Sequence, residues 1–533
     1  MGKKDKLKYY GEENVNFVVS LINEGLSATK AAQMMCDKYG LKCDSDVERV
    51  YRKKLQKLRG ETKENPNSKV EETEEFKRAK ERVHDSNKKR FIVSWAQSST
   101  SIHDDFLTNI EAYAEHIEAD IHIIAGRYKN PTSLESSNKL KAEEKNKRLW
   151  HSRLQPYLDA NRQKLHPYLQ ILSDVKVQVT AITPLTGFNN ITGLESCIIG
   201  HPTLHLTSLP ILDSYPNKLL LTTGAVTLPN YTDTKAGKKS EHHHALGFVV
   251  VELDGDVFHV RQVQCDDNGD FYDLWYKVSG GEVSIPNEQY PCTIWGDLHY
   301  GQHNVENLET AKHLSKKLNS GKVILHDLFD GKSINPHEEH DPFVLMQKEN
   351  SGEGDLFAEL TKVLSFVKDL TADFEVISVA SNHNDFLDRF VRNVDWRKVN
   401  NKTAYLIMAN IVASGAAPKG LVNFYLADID KVIGLAYGDS YRLLDWELGL
   451  HYDKGANGSR GSANQFKNLM TKSIGGHSHS ANRSLGSLTV GTLTKMRLGY
   501  NTGLSSWTAG VIQVYPSGKA SHIHFIKGRY TTL

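Results

Sequence analysis

A chain of 533 residues, 39% hydrophobic and 24% charged, has the composition of an ordinary soluble protein and material for about two to four domains. Its formal net charge of +1 excludes a globally basic nucleic-acid binder, so any basic surface must be local. Five cysteines (Cys36, Cys43, Cys197, Cys265 and Cys292) without a C-x-x-C pair exclude a disulfide framework and a structural zinc site; no apolar leader or span-length apolar run is present, and a soluble intracellular protein is expected.

Residues 1–60 read as a small helical module. Val15, Phe17, Val18, Leu21 and Ile22 form a helical apolar stripe that Gly25-Leu26-Ser27 interrupts. Ser27 is a suitable N-cap for a helix over 28–39, and Gly40 ends it. A third helix would carry Arg49, Arg52, Lys53, Lys54, Lys57 and Arg59. Two readings follow: a helix-turn-helix-like DNA reader using Arg49, Arg52 and Lys53, or a helical docking module with a solvated charged face. Residues 61–89 are highly charged and read as a linker, with a solvent-exposed helix as the alternative.

Residues 90–286 read as an α/β accessory domain. A strand over 90–96, an amphipathic helix carrying Phe106, Ile110, Tyr113 and Ile117, and a strand over 121–125 make one strand-helix-strand unit. Residues 139–169 read as a helix that Pro156 and Pro167 break or kink. Strands are expected over 175–179, 219–221 and 248–251, and Asp254-Gly255-Asp256 signals a hairpin into 257–263. Glu241-His242-His243-His244 invites a metal reading, but neighbours on an extended segment point to opposite faces, so a polar loop is favoured. Lys235, Lys238 and Lys239 precede it. Neither a P-loop nor G-x-G-x-x-G occurs.

Residues 287–533 carry the chemistry. Asp297-Leu298-His299, His326-Asp327-Leu328-Phe329-Asp330 and Ser381-Asn382-His383-Asn384 each follow a short apolar run, and Gly475-Gly476-His477-Ser478-His479 comes last. Short apolar runs closed by polar residues are buried strands, and the C-terminal ends of such strands are where α/β folds hold ligands. Asp, His and Asn at those ends are oxygen and nitrogen donors for divalent metals. Residues 335–354, with His337 and His340, read either as an overhang or as a plain loop. The glycine- and serine-rich loop 457–462 places Arg460 where it could grip a phosphodiester backbone, a flexible linker being the alternative.

The order D-x-H, D-x-x-D, N-H, G-H-x-H resembles the calcineurin-like metallophosphoesterase superfamily, which includes the Mre-eleven/SbcD nucleases, protein phosphatases and cyclic-nucleotide phosphodiesterases. His326 and Ser381 stand where that family has Gly, and Asn384 separates His383 from the next carboxylate, Asp385. The resemblance implies an α/β fold in which a C-terminal β-sandwich is flanked by helices, after the α/β domain and the helical module. It implies that Asp327 bridges two ions, with Asp297, His299 and His479 on one and Asn382 and His477 on the other. A further imidazole is expected between the third and fourth motifs, and His451, opening a glycine-rich loop after an apolar segment, fits best. His383 resembles the family's general acid and Asp330 its orienting partner. The mixed donor set suits Mn²⁺ best, Zn²⁺ and Fe²⁺ next and Mg²⁺ less.

Three functions are open at this point: a DNase, a phosphatase or small-molecule phosphodiesterase with regulatory domains, and a degenerate DNA-binding scaffold. The intact motifs disfavour the third, and the N-terminal module favours the first over the second. The whole arrangement also resembles the early host-DNA-degrading nucleases of T5-related bacteriophages. That resemblance implies DNA as partner in the cytoplasm of an infected bacterium. Homo-oligomers are expected from the large appended domains.

Overall fold

The structure is a computed structural model that describes residues 9–43, 47, 51, 74–127, 149–461, 463–467, 471–499 and 501–533. It divides into two compact units, Met1–Glu74 and Glu75–Leu533. In the first, helices Glu12–Asn23 and Ala28–Lys38 pack through Val18, Leu21, Ala31, Ala32, Met35 and Cys36. The Ser27 side chain accepts a hydrogen bond from the Lys30 N–H, capping the second helix as expected. Both helices end on a left-handed glycine, Gly25 and Gly40, whose successors donate back to Leu21 and Cys36. Arg49, Arg52 and Lys53, and with them the expected basic helix, lie outside the described residues.

The second unit is a mixed α/β fold with several sheets. A six-stranded sheet runs, in spatial order, Val432–Gly434, Glu375–Ser378, Lys322–Leu325, Cys292–Trp295, Gly510–Val514 and Ala520–His524. The first four strands are parallel and the last two are antiparallel to their neighbours. Alternate side chains leave opposite faces of a strand. Ile294, Ile324 and Ile377 therefore meet Trp446, Ile474 and Leu488 of a second sheet, with Leu448 just beyond the Trp446–Glu447 strand. Val323, Leu325 and Val376 face helices Val305–Lys317, Leu356–Leu370 and Phe386–Asn393. Burial on both faces is why these strands read as unbroken apolar runs.

The second sheet has ten strands, from Arg442–Leu443 through Lys472–Gly475 and Asn482–Ser484 to His205–Leu209 and Arg162–His166. Asn482–Ser484 pairs directly with His205–Leu209, so segments on either side of residue 286 share one sheet. Its far half packs through Leu169, Ile198, Leu206 and Leu221 against a five-stranded sheet built on Arg90–Gln97, Asp120–Gly126 and the hairpin Gly247–Asp254 and Val257–Gln264.

Three expectations are corrected. The described part of 139–169 is not helical: it holds a short 3-10 turn, Ser152–Leu154, and strands Leu158–Asp159 and Arg162–His166. Pro167 occupies the turn between Arg162–His166 and Leu169–Leu172, where a missing N–H costs nothing, and long-range pairing of Leu158 with Ile123 decides the rest. Residues 175–179 are likewise not a strand. The described end of the expected linker is packed: helix Glu74–Glu81 buries Phe76 and Ala79, Phe76 stacks on Trp150, and Arg82 pairs with Asp120 at 2.9 Å.

Among the described residues of the second unit, His201, His205, His522 and His524 are buried as neutral rings, and His244 is half-buried. Burial pushes His201, His244 and His524 down to about 4, and His205 and His522 down to about 3. The unfolded chain binds protons on each below about pH 6.5 while the folded chain does not, so the stability present above that pH is lost as pH falls. Each ring costs about 1.4 kcal/mol per pH unit in that window. The thermal midpoint is expected to fall steeply from pH 7 to pH 5; a flat profile would reject neutral burial of these rings.

Candidate metal centre

Strands Cys292–Trp295, Lys322–Leu325 and Glu375–Ser378 are adjacent and parallel, so the loops after them leave one edge side by side. In the facing sheet, Trp446–Glu447 and Lys472–Gly475 are also parallel neighbours, and their following loops carry His451 and His477–His479. Backbone bonds hold the loops in register: His299 N–H donates to the Asp327 carbonyl at 2.7 Å, and Gly476 N–H to that of His451 at 3.2 Å.

The motif side chains converge. Asp297, His299, Asp327 and His479 form one group, and Asp327, His451 and His477 a second that shares Asp327. His299 Nε2 lies 3.1 Å from His479 Nε2 and 3.4 Å from Asp327 Oδ2. His479 Nε2 is 3.2 Å from Asp297 Oδ2, and His451 Nε2 is 3.0 Å from Asp327 Oδ2. Asn382 Oδ1 stands 3.1 Å from His477 Nδ1.

The approaches of His479 to Asp297 and of His451 to Asp327 are not hydrogen bonds. Among the described residues, both Asp297 carboxylate oxygens and His451 Nε2 are buried without a hydrogen-bond partner. Buried polar atoms are normally satisfied, and donors left so close yet unaligned aim at a common third body. The backbone supports the same conclusion: His299, Asp327, His477 and His479 all have left-handed φ, at 43°, 42°, 70° and 53°. Non-glycine residues so placed cost on the order of 1–3 kcal/mol each and gather at functional sites. These buried His and Asp groups could hold a metal ion.

Electrostatics match that composition. Burial alone would raise the Asp327 carboxyl, yet His451 and His383 hold it well below the usual range. Burial alone would lower His299 and His451, yet the carboxylates around them lift His299 to about 10, chiefly through Asp327, and His451 to about 9, chiefly through Asp327 and Asp297.

His383 and Asp330 sit beside the first group, but their relation differs from the expected one. The Asp330 carboxylate is 3.0 Å from His299 Nδ1 and 3.9 Å from His383 Nδ1. His383 Nδ1 instead donates to the Asp330 backbone carbonyl at 2.7 Å. Burial, then the charge on nearby His299, lowers the His383 pKa.

Arg460 and the Glu241–His244 segment are not part of these ligand groups. Arg460 is exposed in the loop after His451, which is pinned by Gly455 N–H to the Ser459 carbonyl and Gly461 N–H to that of Asp453. The Glu241–His244 segment is not extended: Lys235–His242 is a helix, and His244 is a half-buried structural ring between the Tyr231 hydroxyl at 2.7 Å and the Thr227 carbonyl at 2.8 Å. Two neighbours of the centre carried no signal of their own in the sequence. Trp507 meets the His479 ring edge-on at 4.2 Å between centroids, and His326 lies wholly buried against His451. Only the departure from glycine at position 326 hinted at the second.

No protein-family model matches the sequence, and no solved structure matches it. Among the described residues no helix is long and apolar enough to cross a membrane. The chain is similar to Protein A1 of Escherichia phage T5, at 28% identity over 477 residues covering 83% of each chain.

Proposed function

We propose that this chain is a metal-dependent phosphoesterase with a calcineurin-like centre that hydrolyses DNA phosphodiester bonds. The observation that carries the reading is the convergence of Asp297, His299, His479, His451 and His477 on one shared carboxylate, Asp327. A shared carboxylate between two imidazole-rich groups is the donor arrangement a two-metal hydrolase requires. Asp297, His299, Asp327 and His479 would hold one ion, and Asp327, Asn382, His451 and His477 the other. When bound, two divalent cations, with Mn²⁺ suited best, lower the pKa of water and offset charge on the phosphoryl oxygens.

The chain's own residues divide the remaining work. The Asp330 carboxylate locks His299 through Nδ1, presenting Nε2 to the centre. The Asp330 carbonyl accepts a hydrogen bond from His383 Nδ1–H and fixes the ring; a second proton, taken from solvent onto Nε2 to give the imidazolium, is the one His383 would deliver to the departing oxygen. Asp330 thus orients both rings, one with its side chain and one with its backbone. DNA as substrate rests on the resemblance to the phage nucleases and on the basic N-terminal segment.

The deciding experiment incubates the full chain with supercoiled plasmid, linear duplex and a small chromogenic phosphodiester, with Mn²⁺ and with EDTA. Metal-dependent loss of both DNAs is expected, and nicking of the closed circle would show that no end is needed. Cleavage of the small ester alone would assign a phosphodiesterase, and inactivity with every metal a scaffold. A local check uses Gly476, where an added Cβ would sit 2.0 Å from Asp297 Oδ1 and 3.0 Å from His326 Cβ. Gly476→Ala is expected to weaken Mn²⁺ binding by at least about 10-fold with secondary structure intact, read by titration and circular dichroism. Unchanged affinity would mean that Asp297 is not a ligand.

A further inference from the structure

We propose that His326 is a positioning residue that sets the tautomer of His451, an inference that rests on the metal-centre reading above. His326 is the last residue before Asp327, is fully buried, and fills a position that is glycine in the family motif. Its Nδ1 lies 3.3 Å from His451 Nδ1, with the two rings 5.4 Å apart between centroids and tilted by 31°. Its Nε2 is buried with no hydrogen-bond partner among the described residues. The facing loop makes room, because Gly476 lacks the Cβ that would press on His326.

Between two ring nitrogens at that distance there is one proton: one nitrogen donates and the other accepts. His451 Nε2 stands 3.0 Å from Asp327 Oδ2 and belongs to the ligand group, so it must offer a lone pair. A neutral His451 with a lone pair on Nε2 carries its proton on Nδ1. His326 Nδ1 is then the acceptor, and the His326 proton resides on Nε2. The opposite arrangement would put the His451 proton on Nε2, between the ring and Asp327, and remove it as a ligand. A ligating histidine is usually held through its other nitrogen by a carboxylate, a carbonyl or water. Here an uncharged imidazole does that work, adding no negative charge beside Asp297 and Asp327. The same bond survives whether His451 is neutral or doubly protonated, since Nδ1–H donates in both states.

The test has two arms. Nitrogen NMR of ¹⁵N-histidine-labelled, metal-free full chain reads the His326 tautomer directly. A proton on Nε2, with Nδ1 accepting, is expected; a proton on Nδ1 overturns the proposal. This arm needs no metal, so a chain that fails to bind Mn²⁺ would sink the metal-centre reading while the tautomer still decides the role of His326. The second arm titrates Mn²⁺ into wild type, His326→Leu, which fills the space without an acceptor, and His326→Asn, whose Oδ1 can accept in place of Nδ1. His326→Leu is expected to lose about 10–100-fold in affinity for one of two ions, and His326→Asn to recover most of it. Equal affinity in wild type and the leucine variant overturns the proposal. So does a folded asparagine variant as weak as the leucine one.

Discussion

Asp327→Ala is expected to yield a folded protein that retains no metal after dialysis and hydrolyses DNA at the uncatalysed background. Losing an outer partner of a ligand costs about 10–100-fold in metal affinity, and loss of the one carboxylate common to both groups must exceed that. Asp327 Oδ2 lies 3.4 Å from His299 and 3.0 Å from His451, so its removal strips the charge that both rings face. Metal analysis of the dialysed variant gives the answer. Asp327→Asn, which keeps the shape and removes the charge, should behave as the alanine variant does. Full occupancy in either would overturn the shared-ligand assignment.

His383→Ala is expected to separate binding from turnover. Its ring is fastened to the Asp330 carbonyl rather than to the ligand group, so metal content should remain that of the wild type. Turnover of DNA should fall by about 10²–10⁴-fold, the range that a positioned proton donor contributes. The control is leaving-group dependence: a p-nitrophenyl diester departs without protonation and should lose far less activity than DNA. An equal loss on both substrates would make His383 structural, and unchanged DNA cleavage would remove it from the chemistry altogether.

Much of the site was legible because it is written locally. Short apolar runs ending in Asp, His or Asn mark buried strand ends, and parallel pairing of Cys292–Trp295, Lys322–Leu325 and Glu375–Ser378 places those ends side by side. His451 was legible for a similar reason, as an imidazole following an apolar segment at the head of a glycine-rich loop. The helix caps at Ser27, Gly25 and Gly40 and the hairpin at Gly255 are one-turn signals, and each appears where the residues put it.

What residue order alone determined, then, was which donors stand at which strand ends and where local caps and turns fall, because those depend on neighbours a few positions apart. Tertiary structure decided the rest. Residues 158–172 could not show their pairing, since Leu158 finds its partner in Ile123, and the sheet that joins Asn482–Ser484 to His205–Leu209 spans more than half the chain. Nor could spacing reveal that the Asp330 carboxylate turns to His299 while its carbonyl holds His383, or that His326 meets His451 across 125 positions. Which atom of a side chain reaches which partner is set by how two sheets stack and by the backbone angles of the loops between them, and neither is encoded in any short stretch of sequence.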